Sequence, residues 1–248
     1  MNYKLRTQAA RVLNLVRRRV VRQRVDVEEI LRSSEAQSVC ERFNRLYYES
    51  GVAGELSWRG VPLLKNPCDL WVMAELIQKL RPAVIVETGT HHGGSALFLA
   101  DITKLLGLHT AVVTVDFNPK WTCDPHEHGI ESVVGFSTDP WVVQRVQVAV
   151  NAARERADGG VMVTLDSDHA EENVLSELRL YSPLVTRSSY IVVEDTNING
   201  HPVSPDFGPG PYEAVEKFLG SDSKFQRDIT CERHLLTFNP GGWLLRVT

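Results

Sequence analysis

The chain has 248 residues, 43% of them hydrophobic and 23% charged, and a formal net charge of −4. That is enough apolar material for a full core, and the balance lacks the overall basicity of a nucleic-acid-binding protein, so no nucleic-acid partner is expected. No apolar run reaches the ~18 residues of a membrane-spanning helix, and the first residues lack the apolar stretch of a secretory signal, which points to a cytoplasmic protein.

Charge is unevenly spread. Residues 1–24 hold eight basic side chains and no acid, so the rest of the chain carries 19 basic against 31 acidic residues. Leu5, Ala9, Val12, Leu13, Val16 and Val20 recur near helical spacing, and the segment reads as a basic amphipathic helix. Such a helix makes peripheral contact with an anionic membrane at its inner face, docks on the acidic body of a second copy in a homo-oligomer, or is simply a solvated, frayed N-terminal helix. Residues 26–50 are predicted helical and "WRGVPLLKNPCD" irregular, with Asp69 expected to cap a helix over 70–80. Cys40, Cys68, Cys123 and Cys231 are scattered without a CxxC pair, as reduced thiols would be.

From residue 83 the pattern alternates. "AVIVETGT", "TAVVTVDF", "GVMVTLDSDH" and "SSYIVVEDT" read as short buried strands, each joined to the next through a helical stretch such as "GGSALFLADITKLLG" or "PWVVQRVQVAVNAAR". This predicts an α/β fold with a mostly parallel, doubly wound, Rossmann-like sheet. "CERHLLTF" and "WLLRV" flank "NPGG" and predict an antiparallel C-terminal hairpin at the sheet edge. The division expected is a helical N-terminal arm and lid region, 1–68, ahead of one domain, 69–248.

Ligands of such a sheet bind beyond the carboxyl ends of its strands. "VETGTHHGG" offers Glu87, Gly89, Thr90 and Gly93, with Ser95 in the helix that follows. Glycines there let the backbone approach a ligand and leave a helix N-terminus open. Asp116 ends the next strand, where a carboxylate accepts hydrogen bonds from ribose hydroxyls. An acid-x-Gly loop plus a second acid is the S-adenosylmethionine pattern, although a flavin or nicotinamide nucleotide uses the second acid similarly; GxGxxG itself is missing. Ser137 and Asp139 of "STDP" are adenine contacts or helix caps.

Asp166 ends one strand and the adjacent Glu194 and Asp195 end another, 28 and 29 residues later. Three anions converging on one pocket either take up protons or hold a divalent cation, and oxygen ligands suit Mg2+ or Mn2+. Asp168 is the alternative to Asp166 if the turn is wound differently. "TNINGHPVSPDFGPGP" is rich in proline and glycine and predicts a shaped lid presenting Asn197, Asn199 and His201 to a substrate. Tyr47, Tyr48 and Trp58 are expected to pack against the domain.

"LDSDHAEENVLSEL", "YIVVEDTNINGHPV", "FGPGPYEAVEKFL" and "VETGTHHGGSALFLADI" together resemble the cephalosporin hydroxylase family, and within it the rhamnosyl O-methyltransferases, over roughly residues 45–246. The resemblance implies a class I S-adenosylmethionine-dependent, Mg2+-dependent methyltransferase acting on a sugar hydroxyl of a glycolipid or glycosylated natural product. The spacing of Asp166, Glu194 and Asp195 is also similar to that of the metal acids of catechol O-methyltransferases, and it puts His169 at the catalytic base. Metal coordination would make a weakly acidic sugar hydroxyl easier to ionise while His169 takes its proton. The competing readings are a nucleotide-cofactor oxidoreductase or hydroxylase of natural-product synthesis and a noncatalytic nucleotide-binding subunit.

Overall fold

The computed structural model describes residues 27–248, and the basic segment 1–24 lies outside the described residues. The helix expected over 26–50 is two helices, α1 (Val27–Arg32) and α2 (Ser34–Glu49). Ser33 separates them: its backbone is extended and its hydroxyl accepts from the Ala36 N–H, which is how a serine starts a new helix. Within the stretch expected to be irregular, β1 (Ser57–Trp58) and β2 (Val61–Pro62) form a small antiparallel hairpin. Trp58 seats it on the domain, its Nε1 donating to Asp101 at 2.9 Å and its ring meeting Phe98 edge-on.

Helix α3 (Pro67–Leu80) is capped one turn earlier than expected. Asn66 Oδ1 accepts from the Cys68 N–H at 2.8 Å, and Pro67 follows at the first helical position. Asp69 is instead buried and accepts from the Phe238 N–H at 2.8 Å, tying the helix to the C-terminal segment. Tyr47 and Tyr48 also pack on Phe238, as their place ahead of the core predicts.

The central sheet follows from the apolar runs. Strands β3 (Val84–Thr88), β4 (Ala111–Asp116), β5 (Ile130–Val134), β6 (Val161–Leu165) and β7 (Tyr190–Val193) run parallel, and β8 (Phe225–Arg227) and β9 (Trp243–Arg246) run antiparallel to their neighbours, in the order β5-β4-β3-β6-β7-β9-β8. Alternate residues of one strand serve opposite faces. Val84, Val86, Val163 and Val193 join Val142, Val174 and Ala214 of helices α5 (Pro140–Arg156), α6 (Glu171–Tyr181) and α7 (Pro211–Ser221). Ile85, Met162 and Val192 face the other way, against Val72 and Ile77 of α3 and Ala96 and Phe98 of α4 (Gly94–Leu105). Both faces are therefore dry, which is why these strands read as continuous apolar runs rather than alternating ones.

Two expectations need correction. The C-terminal hairpin uses Phe225–Arg227, not "CERHLLTF", as its first strand, and β9 lies inside β8 rather than at the edge. Asp228 diverts the chain: its side chain accepts from the Thr230 N–H and starts a short 3₁₀ turn at Ile229–Glu232, which removes residues 231–238 from the ladder. Strand β5 is announced by no continuous apolar run, because it is the sheet's outer strand and buries only Ile130 and Val133.

The chain lays down β3, β4 and β5 in one direction and then crosses back to place β6 on the other side of β3. Such a reversal parts the loops at the carboxyl ends of the two strands and opens a crevice between them. The site lies there.

Candidate active site

The loops after β3, β4, β5, β6 and β7 line one continuous cleft of about 570 Å³, a volume suited to a nucleoside-sized ligand together with a small second one. Gly89, Thr90, Ser95, Asp116 and Ser137 line one part of it, and Asp166, Asp168, His169 and Asp195 the other.

In the first part, the loop after β3 is held tightly. Gly89 has φ +88°, and a Cβ there would meet the Asp166 carbonyl oxygen at 1.8 Å, so this position admits glycine alone. It brings the β3 and β6 loops into direct backbone contact. Asp116 is fixed at the rim, its two carboxylate oxygens accepting from the His91 N–H at 2.9 Å and the Asn118 N–H at 2.7 Å. Beneath the loop, Thr114 Oγ1 donates to Glu87 Oε2 at 2.6 Å and lies 2.7 Å from Thr90 Oγ1. Burial pushes the Glu87 carboxyl up to about 7, against the opposing charge of Lys65 and the hydroxyls of Ser95 and Thr114. Glu87 is thus a buried support, while Gly93 packs against the ring of Trp121. Asp139 is the residue before α5 and accepts no capping hydrogen bond with its side chain.

In the second part, the turn after β6 is wound by α6. Glu177, buried in that helix, accepts from Ser167 Oγ at 2.7 Å, and Asn173 Nδ2 donates to Ser167 Oγ and the Asp168 carbonyl, each at 3.1 Å. Asp168 is exposed and accepts from the Ala170 N–H, leaving Asp166 as the inward acid. Asp195 adopts φ +53°, a left-handed backbone that only a few per cent of non-glycine residues take. Its N–H donates to Asn239 Oδ1 at 3.0 Å. That geometry gives the adjacent acids different partners: Asp195 Oδ2 lies 3.3 Å from His169 Nε2, whereas Glu194 Oε2 meets Lys65. Asp166, His169 and Asp195 each bring a ligand-type atom within 4.8 Å of the other two.

Lys65, from the loop between β2 and α3, completes the second part. Its Nζ is 2.5 Å from both Asp166 Oδ2 and Glu194 Oε2. Glu194 Oε1 accepts from Thr164 Oγ1 at 2.7 Å. Burial opposes the ammonium's charge, but Asp166, Glu194 and Glu87 outweigh it and hold the lysine pKa above its usual range. Burial likewise raises the carboxyls of Asp166, Glu194 and Asp195, with neighbouring acids adding to it. A cleft with two open carboxylates, an imidazole and a residual excess of negative charge fits a divalent cation.

The three residues expected in the lid have partners within the chain. Asn197 is fully buried, its Nδ2 3.5 Å from Asn44 Oδ1. Asn199 Nδ2 and His201 Nε2 lie 3.0 and 2.9 Å from Glu213 Oε1. They add side-chain ties to a segment that backbone bonds also shape, such as the Gly200 N–H to the Val203 carbonyl at 2.7 Å and the Val203 N–H to the Asn197 carbonyl at 3.0 Å. Sequence reasoning missed Lys65, a single lysine in an apolar stretch immediately before a helix cap. It also missed Phe117 and Phe136, stacked at 5.1 Å on the cleft wall and both exposed. Phe117 directly follows Asp116, and an apolar residue beside a strand-end acid was the signal available.

The sheet order, the crossing at β3 and β6 and the cleft over it define a Rossmann-like α/β fold. An apo structure of CmcI superimposes with a TM-score of 0.62 at 21% identity, covering 79% of this chain and 77% of that one. A CmcI structure with Mg and SAM gives 0.57 at 21%, covering 79% and 78%. More narrowly, the chain belongs to the Rhamnosyl O-methyltransferase/CmcI family, which matches residues 50–247. The rhamnosyl O-methyltransferase of Mycobacterium tuberculosis strain H37Rv is 36% identical over 216 residues, covering 85% of this chain and 86% of that protein. That of Mycobacterium leprae is 35% identical over 213 residues, covering 84% and 91%.

Proposed function

We propose that this protein is an S-adenosylmethionine-dependent O-methyltransferase that methylates a hydroxyl of a deoxysugar, such as a rhamnosyl unit on a glycolipid or glycosylated natural product, with Mg2+ or Mn2+ in the cleft. The observation that carries this reading is the continuity of the cleft: the ribose-type acid Asp116 and the Asp166–His169–Asp195 group open into one space. Family membership supports the reaction, and the curated relatives' action on rhamnosyl groups supports the acceptor.

Asp116 and the Gly89–Thr90 loop hold the nucleoside, with Ser137 and the Phe117–Phe136 pair on the adenine side. Asp166 and Asp195 supply oxygens to the cation. Glu194, the third acid of the motif, lies against Lys65 and supplies the third carboxylate. Bound there, the cation lends Lewis acidity to the acceptor hydroxyl and S-adenosylmethionine supplies the methyl group. The proton of that hydroxyl passes to His169. Asp195 already occupies the Nε2 side, so Nδ1 is the atom left to accept it, and the carboxylate stabilises the imidazolium that forms. Residues 1–68 act as the arm that brings Lys65 to the cleft, and 69–248 as the catalytic domain.

The test is turnover of labelled S-adenosylmethionine with alkyl rhamnosides and with glycolipid extract, before and after EDTA. Methylated sugar should form, stop in chelator and resume with Mg2+. Full turnover after confirmed metal removal rejects the metal, and methylation of nucleotide or protein but no sugar rejects the acceptor.

A further inference from the structure

Helix α6 carries a buried carboxylate that the chemistry above does not use. Glu177 is 0% exposed and lies one helical turn before Tyr181, whose hydroxyl donates to the Ser137 carbonyl at 2.7 Å. Neither side chain lines the cleft, but Ser137 and Ser167 do. Ser167 Oγ donates to Glu177 Oε1 at 2.7 Å, and the other oxygen, Oε2, makes no hydrogen bond to any described residue. Burial raises the carboxyl pKa, while the hydroxyls of Ser137, Ser167 and Thr88 oppose that rise. These hydroxyls come from the loop after β5, the turn after β6 and the last residue of β3, so one buried acid sits where three of the cleft's loops converge. Ser167 is the direct link to the chemistry. With its proton given to the carboxylate, its oxygen accepts from Asn173 Nδ2, which also donates to the Asp168 carbonyl, and His169 is the next residue.

We propose that Glu177 is the positioning residue of the turn after β6: through Ser167 and Asn173 it fixes where that turn, and with it His169, stands against the nucleoside side of the cleft. This rests on the reading of His169 as the base. A general base works only within hydrogen-bond reach of the proton it takes, and a displacement of about 1 Å costs on the order of 10²-fold in rate. Glu177 lies outside the cleft lining, so its loss acts on the rate and not on nucleoside binding. Glutamine has the right volume but the wrong polarity. Accepting from Ser167 through its carbonyl, it buries an amide NH2 where Oε2 now makes no hydrogen bond; turned the other way, its NH2 competes with Asn173 for the Ser167 oxygen.

The test compares the full-length wild type with Glu177→Gln, Ser167→Ala and the double variant. Hydrogen exchange is read by mass spectrometry over residues 166–173, where the Asp166, Ala170 and Asn173 N–H groups are hydrogen-bonded. S-adenosylhomocysteine affinity is read by calorimetry and methylation in a single turnover at saturating S-adenosylmethionine. Glu177→Gln should exchange 166–173 about tenfold faster, as loss of one hydrogen bond to a charged group implies, with 175–181 near the wild type. It should bind S-adenosylhomocysteine like the wild type and methylate about 10- to 10²-fold more slowly. Ser167→Ala should behave alike, and the double variant should be little worse than either single one, because both changes cut one path. Unchanged exchange over 166–173 overturns the proposal. Faster exchange along all of α6 at an unchanged rate makes Glu177 a packing residue and overturns it too, as does a rate loss that follows weaker S-adenosylhomocysteine binding. A wild type that methylates no sugar, or a His169→Ala variant as fast as the wild type, rejects the base reading, while exchange still judges the positioning. Should Glu177→Gln not accumulate folded, Ser167→Ala decides: faster exchange with slower methylation upholds the path, and wild-type behaviour overturns it.

Discussion

His169 and Asp166 share one turn, three residues apart, and their replacement should separate two kinds of loss. His169→Ala should slow single-turnover methylation by about 10²- to 10⁴-fold, the usual loss of a general base, with Mn2+ affinity little changed. Asp166→Asn should lose Mn2+ affinity first. It also leaves Lys65 with Glu194 as its one remaining acid partner, which should lower the melting temperature. Loss of Mn2+ affinity in His169→Ala would make the imidazole a ligand instead. Asp69 offers a test by pH. Burial pushes its carboxyl from 3.8 up to about 8, although Thr237 and the Phe238 N–H pull the other way. The folded chain keeps a proton there that the unfolded chain releases, so stability contributed at low pH is lost as pH rises from about 4 to about 8. Asp69→Asn should abolish that slope, and melting curves of both proteins from pH 5 to 8 check it. Parallel curves would mean that Asp69 ionises as readily in the fold as in the unfolded chain. None of this is visible from Asp69 in sequence, where a helix-capping role is the natural expectation, since its acceptor bond to residue 238 spans most of the chain.

At the level of elements, the proline- and glycine-rich segment after β7 is tied to the helix that follows it through one residue. Glu213 of α7 lies 3.0 Å from Asn199 Nδ2 and 2.9 Å from His201 Nε2, and its other oxygen accepts from the Gly210 N–H at 2.8 Å. Burial opposes the charge of Glu213, but these donors outweigh it and hold its carboxyl below the usual range. The ring of His201 also stacks on Tyr212 at 3.9 Å. Glu213→Ala should therefore loosen residues 199–210 and raise the KM for the sugar acceptor without altering S-adenosylmethionine binding. Limited proteolysis followed by mass spectrometry reads the first effect. An unchanged cleavage rate in that segment would show that its prolines suffice to shape it. The same segment shows why a shaped loop was legible while the partners of its polar side chains were not. Composition announces a stiff loop, but which of its polar side chains face a ligand depends on a helix that packs beneath it.

For the whole molecule, the cleft is a product of sheet order, and the arm adds Pro62, Leu63, Leu64 and Lys65 to its lining. No described helix is long and apolar enough to cross a membrane, and the family match begins at residue 50. Deleting residues 1–24 should leave turnover on a small soluble rhamnoside intact while reducing retention on anionic vesicles or self-association, measured by flotation and by sedimentation. A folded truncated protein that no longer turns over the soluble acceptor would place the segment in the chemistry.

The sequence by itself determined the alternation of strands and helices, the loops that end at the cleft, the acids at positions 166, 194 and 195, and the family. Strand and helix periodicity are local, and in a parallel sheet with both faces covered the apolar runs mark the strands directly. Only the tertiary structure decided how those acids divide. A left-handed residue at Asp195 sends it toward His169 while its neighbour Glu194 meets a lysine more than a hundred residues earlier in the chain. Ion pairing in a buried site follows distance in space, and pattern along the chain carries no record of which distant charge will share the same pocket.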